Sequence, residues 1–250
     1  MKSTIWKLAF LAMLGLITQS YAIFGIGGFW APGTGSVDGK TELINQNGSN
    51  SLSLIRGSGS GSQGFGMKIW VDAIPFVDIE IAPFVQLTKY PASVVLNTGS
   101  GSDTTNLKLE GLPVFGDTDP VFGKLVVDAS IRYPFLSFPP VVSLVKLYAG
   151  AGASFISHTP FLDKELLDEI ITVDDLSGSP DVNDLADKVI DKIKDDGLPM
   201  GVGGHLLLGT KFKAPIIPIA LFADAKWHFG GLPEAVQHGF TFHLGAALAF

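Results

Sequence analysis

The sequence predicts an all-β fold, an eight-stranded antiparallel transmembrane β-barrel carrying a helical insertion in its third outer loop. Three observations lead there. Residues 239–250 place Phe240, Phe242, Leu244, Ala246, Leu248 and Phe250 on one face, and Thr241, His243, Gly245, Ala247 and Ala249 on the other, a period of two. The same alternation recurs in earlier segments. The connections between these segments alternate long and short, as they must when one end of a barrel carries loops and the other tight turns.

Taken in order, Lys2 and Lys7 flank a short basic start, Leu8 to Ile17 is apolar with one glycine, and Ser20-Tyr21-Ala22 offers small residues at a cleavage site. Residues 1–22 therefore read as a cleavable secretory signal. The apolar run is well short of the ~20 residues a spanning helix needs, and no later stretch is long and apolar enough. The remainder, 23–250, reads as a single barrel domain.

The first strand is the glycine-rich segment 23–30, followed by a Gly-, Ser- and Asn-rich long loop over 31–63. Residues 64–74 and 76–90 alternate across a turn at Pro75. A second long loop spans 91–120, and a strand follows over 121–133. A Pro- and Phe-rich connection over 134–141 leads to the strand at 142–157. After the insertion at 158–201, strands at 202–213 and 216–229 flank the Ala214-Pro215 turn, and a loop at 230–238 precedes the last strand. The aromatics Trp30, Tyr90, Tyr133, Phe135, Phe138, Phe155, Trp227, Phe229 and Phe250 fall near strand ends, where amphipathic rings meet a lipid–water boundary.

Charge is concentrated. Residues 163–196 hold 12 of the 24 acids and only four lysines, a local charge of −8 against −7 for the chain, so the rest sums to about +1. No basic patch remains to hold nucleic acid. Within 158–201, Leu162, Leu166, Leu167, Ile170 and Ile171, then Leu185, Val189, Ile190 and Ile193, repeat at helical spacing across a Ser177-Gly-Ser-Pro180 break, which predicts an acidic helical hairpin. Its carboxylates match no calcium loop, and solvated helix faces account for them. The chain has no cysteine, which removes disulfides, thiolate metal sites and thiol nucleophiles. No cofactor and no metal site are expected.

The polar faces of the strands carry Lys68, Asp72, Asp78, Glu80, Lys124, Asp128, Arg132, Lys146, Asp224 and Lys226, acids and bases in near balance. An eight-stranded barrel is only just wide enough for side chains. Charges buried there must pair or cost several kcal/mol each. The expectation is a salt-bridge network filling the lumen, with Asp128 meeting Lys146 and Arg132 meeting Asp78 or Glu80. The alternative is a narrow water-filled pore for small solutes tuned by the same charges.

The closing pattern His243-x-Gly245-x-x-Leu248-x-Phe250 resembles the β-signal of bacterial outer-membrane proteins. That resemblance implies recognition by the barrel-assembly machinery after transit with periplasmic chaperones. The mature chain as a whole resembles the small outer-membrane barrels of the OmpA membrane-domain, OmpX and OmpW class, without a peptidoglycan-binding domain. The resemblance implies an outer-membrane address, periplasmic termini, contact with lipid and lipopolysaccharide, and a non-enzymatic envelope role. Some small barrels of this kind modify lipid A with Ser, His and an acid. Ser154 with His158, or His228 with His238, are the nearest candidates, and neither has an identifiable acid, so no catalytic residue is expected. A soluble lipocalin-type carrier would share the strand number and the signal but turn its charges outward.

Overall fold

The computed structural model describes residues 24–47, 50–74, 76–98, 101–107, 109–112, 116–138, 144–160, 163–170, 198–213 and 217–250. The expected signal segment, 1–22, lies outside them. In chain order the elements are β1 (Phe24–Trp30), β2 (Gly33–Val37), β3 (Lys40–Asn47), β4 (Asn50–Arg56), β5 (Gly59–Ile74), β6 (Val77–Lys89), β7 (Ala92–Thr98), β8 (Gly101–Leu107), β9 (Leu109–Leu112) and β10 (Gly116–Thr118). They continue with β11 (Val121–Phe138), β12 (Val145–His158), a helix α1 (Lys164–Ile170), β13 (Met200–Lys213), β14 (Ile219–Gly230), β15 (Val236–Gln237) and β16 (Phe240–Ala249).

Eight of these strands close a ring in the order β1, β5, β6, β11, β12, β13, β14, β16 and back to β1, every pairing antiparallel. Closure is made by β16, whose Ala249 to Leu244 register against Gly25 to Trp30 of β1. Phe24 and Phe250 exchange backbone hydrogen bonds of 2.9 and 3.2 Å at the end of that seam. The ring leaves no free strand edge, the condition for crossing hydrocarbon with β-structure.

Alternation sets what faces where. Along β16 the apolar set points outward, with Phe240, Phe242, Leu244 and Leu248 exposed, while Thr241, His243, Ala247 and Ala249 are buried inside. Ile79 and Ile81 on β6, Leu125 and Ile131 on β11, and Leu206 and Leu208 on β13 are likewise exposed, while Asp78, Glu80, Ser130, Arg132 and His205 between or beside them are buried. The barrel is thus apolar outside and charged within. Exposed rings gather toward the strand ends: Tyr133, Phe135, Phe138 and Phe250 at the short-turn end, Trp30, Phe155, Trp227 and Phe229 toward the other. Tyr90 departs from this pattern, because it is buried in a second core described below.

The stretches 31–63 and 91–120 are not the irregular loops their composition suggests. They contain β2, β3, β4, β7, β8, β9 and β10, and β3, β4, β7 and β8 form a four-stranded sheet joining the two connections. The buried positions Ile44, Leu52 and Leu54 explain it, since alternate apolar side chains among Ser and Asn are enough to give a sheet one dry face. Strand β11 also runs through the expected connection at 134–141 as far as Phe138, with a register shift between Pro134 and Leu136. Proline lacks an amide donor, and a bulge is where a ladder accepts it. Phe76, at the tight turn between β5 and β6, adopts φ 74°.

The helical insertion expected over 158–201 is not supported as drawn. Its described residues contain one helix, α1, of seven residues, and the second half of the expected hairpin lies outside the described residues. Asp163 caps α1, its Oδ1 accepting the Leu166 amide at 2.9 Å. Leu167 is fully buried in a second apolar core with Val37, Ile44, Leu52, Leu54, Tyr90, Ala92, Phe122 and Val236. Each long connection contributes to or abuts this core, which sits at the long-loop end of the ring.

Candidate functional site

The lumen is the chemically distinctive part of the molecule. Strand alternation directs charged residues into it from β5, β6, β11, β12, β13 and β14, and the burial is close to complete. Lys68, Glu80, Asp128 and Lys226 have no solvent-accessible surface, and Arg132, Asp78 and Asp224 nearly none.

Near the short-turn end, Lys211 Nζ lies 2.6 Å from Asp72 and 3.7 Å from Asp78. Lys146 lies 3.9 Å from Asp72. Arg132 reaches Asp72 at 3.8 Å, Asp78 at 3.6 Å and Glu80 at 2.9 Å. Its guanidinium lies 4.7 Å from the Tyr148 ring centroid, and Lys211 lies 5.0 Å from that of Trp70. At mid-height Lys68 bonds Asp224, lies 3.2 Å from Glu80, and faces the Phe222 ring at 4.2 Å. The Tyr148 hydroxyl donates to Asp224. Lys226 spans Glu80 and Asp128, 2.9 Å from each. Five acids (Asp72, Asp78, Glu80, Asp128, Asp224) thus meet five bases (Lys68, Arg132, Lys146, Lys211, Lys226). Lys124, half-buried, stands further toward the long-loop end, in register with Gln86 and His158.

Above this lies a layer of histidines. Asp128 accepts from Ser154 at 2.7 Å and faces His228 Nε2 at 3.2 Å from both carboxylate oxygens. His205 bridges two hydroxyls, Nδ1 to Ser154 and Nε2 to Ser130, each at 2.8 Å. Its Nδ1 is also 3.5 Å from Asp128. One ligand atom from each of Asp128, His205 and His228 falls within 4.8 Å of the others, and all three residues are buried. His243 stacks on Phe29 at 4.1 Å and meets Phe84 edge-on at 4.9 Å. Its two ring nitrogens have no hydrogen-bond partner among the described residues.

Glycine makes this filling possible. A Cβ on Gly152 would lie 2.7 Å from the His205 ring, and one on Gly209 would collide with Asp224 and lie 2.7 Å from the Tyr148 ring. Lumen glycines on β12 and β13 thus vacate the volume that long polar side chains occupy.

Several expectations are revised. Asp128 pairs with Lys226, not Lys146. The register sets Asp128 against Ser154 and Lys146 against Ser137, so nearly the whole strand separates them. Arg132 does meet Asp78 and Glu80. Ser154 meets His205 and Asp128, not His158, whose Nδ1 lies 2.9 Å from the Thr159 carbonyl. His238 accepts the Gly230 amide at 3.1 Å. The Ser154, His205, Asp128 contacts do not form a relay. The second nitrogen of His205 is held by Ser130 and not by the acid, and none of the three is exposed. Lys211 and His205 join the lumen without having been expected there, although their alternation with outward Phe212 and Leu206 was the available signal, and His228 lies on the polar face with Asp224 and Lys226. Of the four closing positions, His243 is fully buried, Gly245 lies under Phe29 and Phe222, and Leu248 and Phe250 are exposed.

At the long-loop end, outside the ring, Glu42 Oε2 accepts the first amide of α1, from Lys164, at 2.9 Å. Partial burial raises the Glu42 pKa, but the hydrogen bonds from Lys40 and the Lys164 amide outweigh it and hold the carboxylate below its ordinary 4.5. His238 is held below its ordinary value by desolvation, then by Lys124 and His228.

No family model and no curated protein matches the chain. Solved structures do. The outer membrane protein OprG from Pseudomonas aeruginosa aligns over 92% of this chain and 97% of its own, at 12% identity and a TM-score of 0.47. Neisserial surface protein A aligns over 91% and 97%, at 16% identity and 0.44. Ail of Yersinia pestis, in complex with a heparin analogue, aligns over 91% and 97%, at 12% identity and 0.42. By its own strand number, order and closure, and by an apolar exterior around a charged interior, the chain has the fold of the small outer-membrane β-barrels.

Proposed function

We propose that the protein is an integral outer-membrane barrel with a closed lumen, a non-enzymatic envelope protein and not a conduit. The observation that supports this is the charge pairing that fills the interior. Ten charged side chains neutralise one another across the lumen. At the long-loop end the connections bury a second apolar core. A conducting path needs a continuous file of water, and the paired side chains are not offered to one.

In this reading the exposed apolar wall contacts lipid and lipopolysaccharide, with the short turns and both termini periplasmic and the four-stranded sheet outside. The barrel-assembly machinery and periplasmic chaperones act on it during biogenesis. Outward sheet residues, not lumen residues, carry whatever recognition the protein performs.

Single-channel recording on the refolded barrel in planar bilayers tests this. The expected result is no resolved open level. Steady unitary currents would overturn the closed lumen in favour of a narrow pore. Mass spectrometry of lipid A from cells with and without the protein tests the non-enzymatic reading, and a changed acyl pattern would overturn it.

A further inference from the structure

We propose that Asp128, His205 and His228 form a lumenal binding site for a divalent transition ion of the zinc class. The fourth position falls to a water. The inference is independent of whether the barrel conducts.

The donor set is the first reason. Two imidazoles and a carboxylate suit a borderline ion such as Zn²⁺, and three protein ligands with an open fourth position are a common zinc arrangement. The spacing is the second. Ligands about 2.0–2.1 Å from a tetrahedral ion lie about 3.3–3.4 Å from one another. Asp128 stands 3.2 Å from His228 Nε2 and 3.5 Å from His205 Nδ1. A charge-assisted N–H···O⁻ bond draws in to about 2.7–2.9 Å; the His228 contact sits at the long limit of a hydrogen bond and the His205 contact beyond it, and the two bracket the co-ligand spacing. His228 is placed evenly, 3.2 Å from each carboxylate oxygen.

The surroundings are the third reason. Ring orientation at metal sites is fixed by a bond from the other imidazole nitrogen. His205 has one, Nε2 to Ser130 Oγ at 2.8 Å, which aims Nδ1 into the cluster. Lys226, the nearest cation, has a second carboxylate in Glu80 at 2.9 Å, so it keeps a counter-charge when Asp128 turns to the ion. The three ligands come from β11, β13 and β14, and the ion would tie these strands together across the lumen.

The test uses the full barrel refolded in detergent, with ZnCl₂ or CoCl₂ supplied either to the folded barrel or during refolding, and folding checked by heat-modifiable gel migration. One ion per chain is expected, with the visible spectrum of four-coordinate cobalt. His205→Gln and His228→Gln should each weaken binding at least tenfold, Ser130→Ala about tenfold, and His158→Gln and His238→Gln not at all. Failure to bind near stoichiometry under either loading, or unchanged affinity in folded H228Q, overturns the site. If neither histidine variant folds, X-ray absorption of the zinc-loaded wild type decides. Imidazole scattering at about 2.0 Å supports the site, and a shell of oxygen alone overturns it.

Discussion

Lys226 Nζ and Glu80 Oε1 lie 2.9 Å apart although their strands, β14 and β6, stand on opposite walls of the barrel. Three strands separate them around either side of the ring. The contact measures how narrow the lumen is, since two long side chains suffice to span it. It also makes the interior one network, because Glu80 is shared with Lys68 and Arg132.

Breaking that contact from one side should be costly. Lys226→Met removes a cation that serves both Glu80 and Asp128, leaving two buried carboxylates short of charge. A loss of about 3–5 kcal/mol is expected for an uncompensated buried charge, read by urea unfolding in lipid vesicles. The double variant Lys226→Met with Glu80→Met should lose less than the sum of the two single changes. Additive losses would show that the two residues are not coupled.

The glycines that admit these side chains give a second prediction. Gly209→Ala forces a methyl against Asp224 and the Tyr148 ring. It should cost about 1–3 kcal/mol, as overpacking of a filled interior does. Gly101→Ala on β8 meets nothing within 4 Å and should be nearly neutral. Equal effects at the two positions would mean that lumen volume at Gly209 is not limiting.

The contrast between these two glycines bears on what the sequence discloses. The ring was legible because a period of two runs through residues such as Phe240 to Phe250 with few interruptions. The sheet of β3, β4, β7 and β8 was not, because Gly, Ser and Asn dominate its composition and its dry face rests on few residues, among them Ile44, Leu52 and Leu54. Sequence alternation also sorts side chains only into inside and outside. Lys211 and His205 follow that rule, but partners such as Asp72 and Ser130 come from strands that are not their neighbours. Neighbouring-strand reasoning therefore finds Arg132 with Glu80, which are two register positions apart, and misassigns Asp128.

Acid should loosen the long-loop end before the ring. The folded pKa of Glu42 is lowered below 4.5. Its contribution is therefore complete above the unfolded pKa and is lost as pH falls through the folded value. Hydrogen exchange at the Lys164 amide should quicken as pH drops below about 4.5, after correction for intrinsic rates. Glu42→Gln should abolish that pH dependence while leaving ring amides protected. An unchanged profile in the variant would assign the acid sensitivity elsewhere.

The outward wall supplies the sharpest test of what surrounds the barrel. Leu208 lies mid-strand on β13 and is 59% exposed, flanked in register by Ala149 and Ala225. In water an arginine there would be close to neutral, because a solvated surface substitution seldom changes stability by more than about 0.5 kcal/mol. In a bilayer the same arginine near the midplane should cost about 2–4 kcal/mol, and the cost should fall toward the aromatic ends. Leu208→Arg and Phe138→Arg, measured by reversible unfolding in vesicles, therefore predict a large loss at the first position and a small one at the second. Small losses at both would remove hydrocarbon from the outer face and favour a soluble carrier, whatever the strand count.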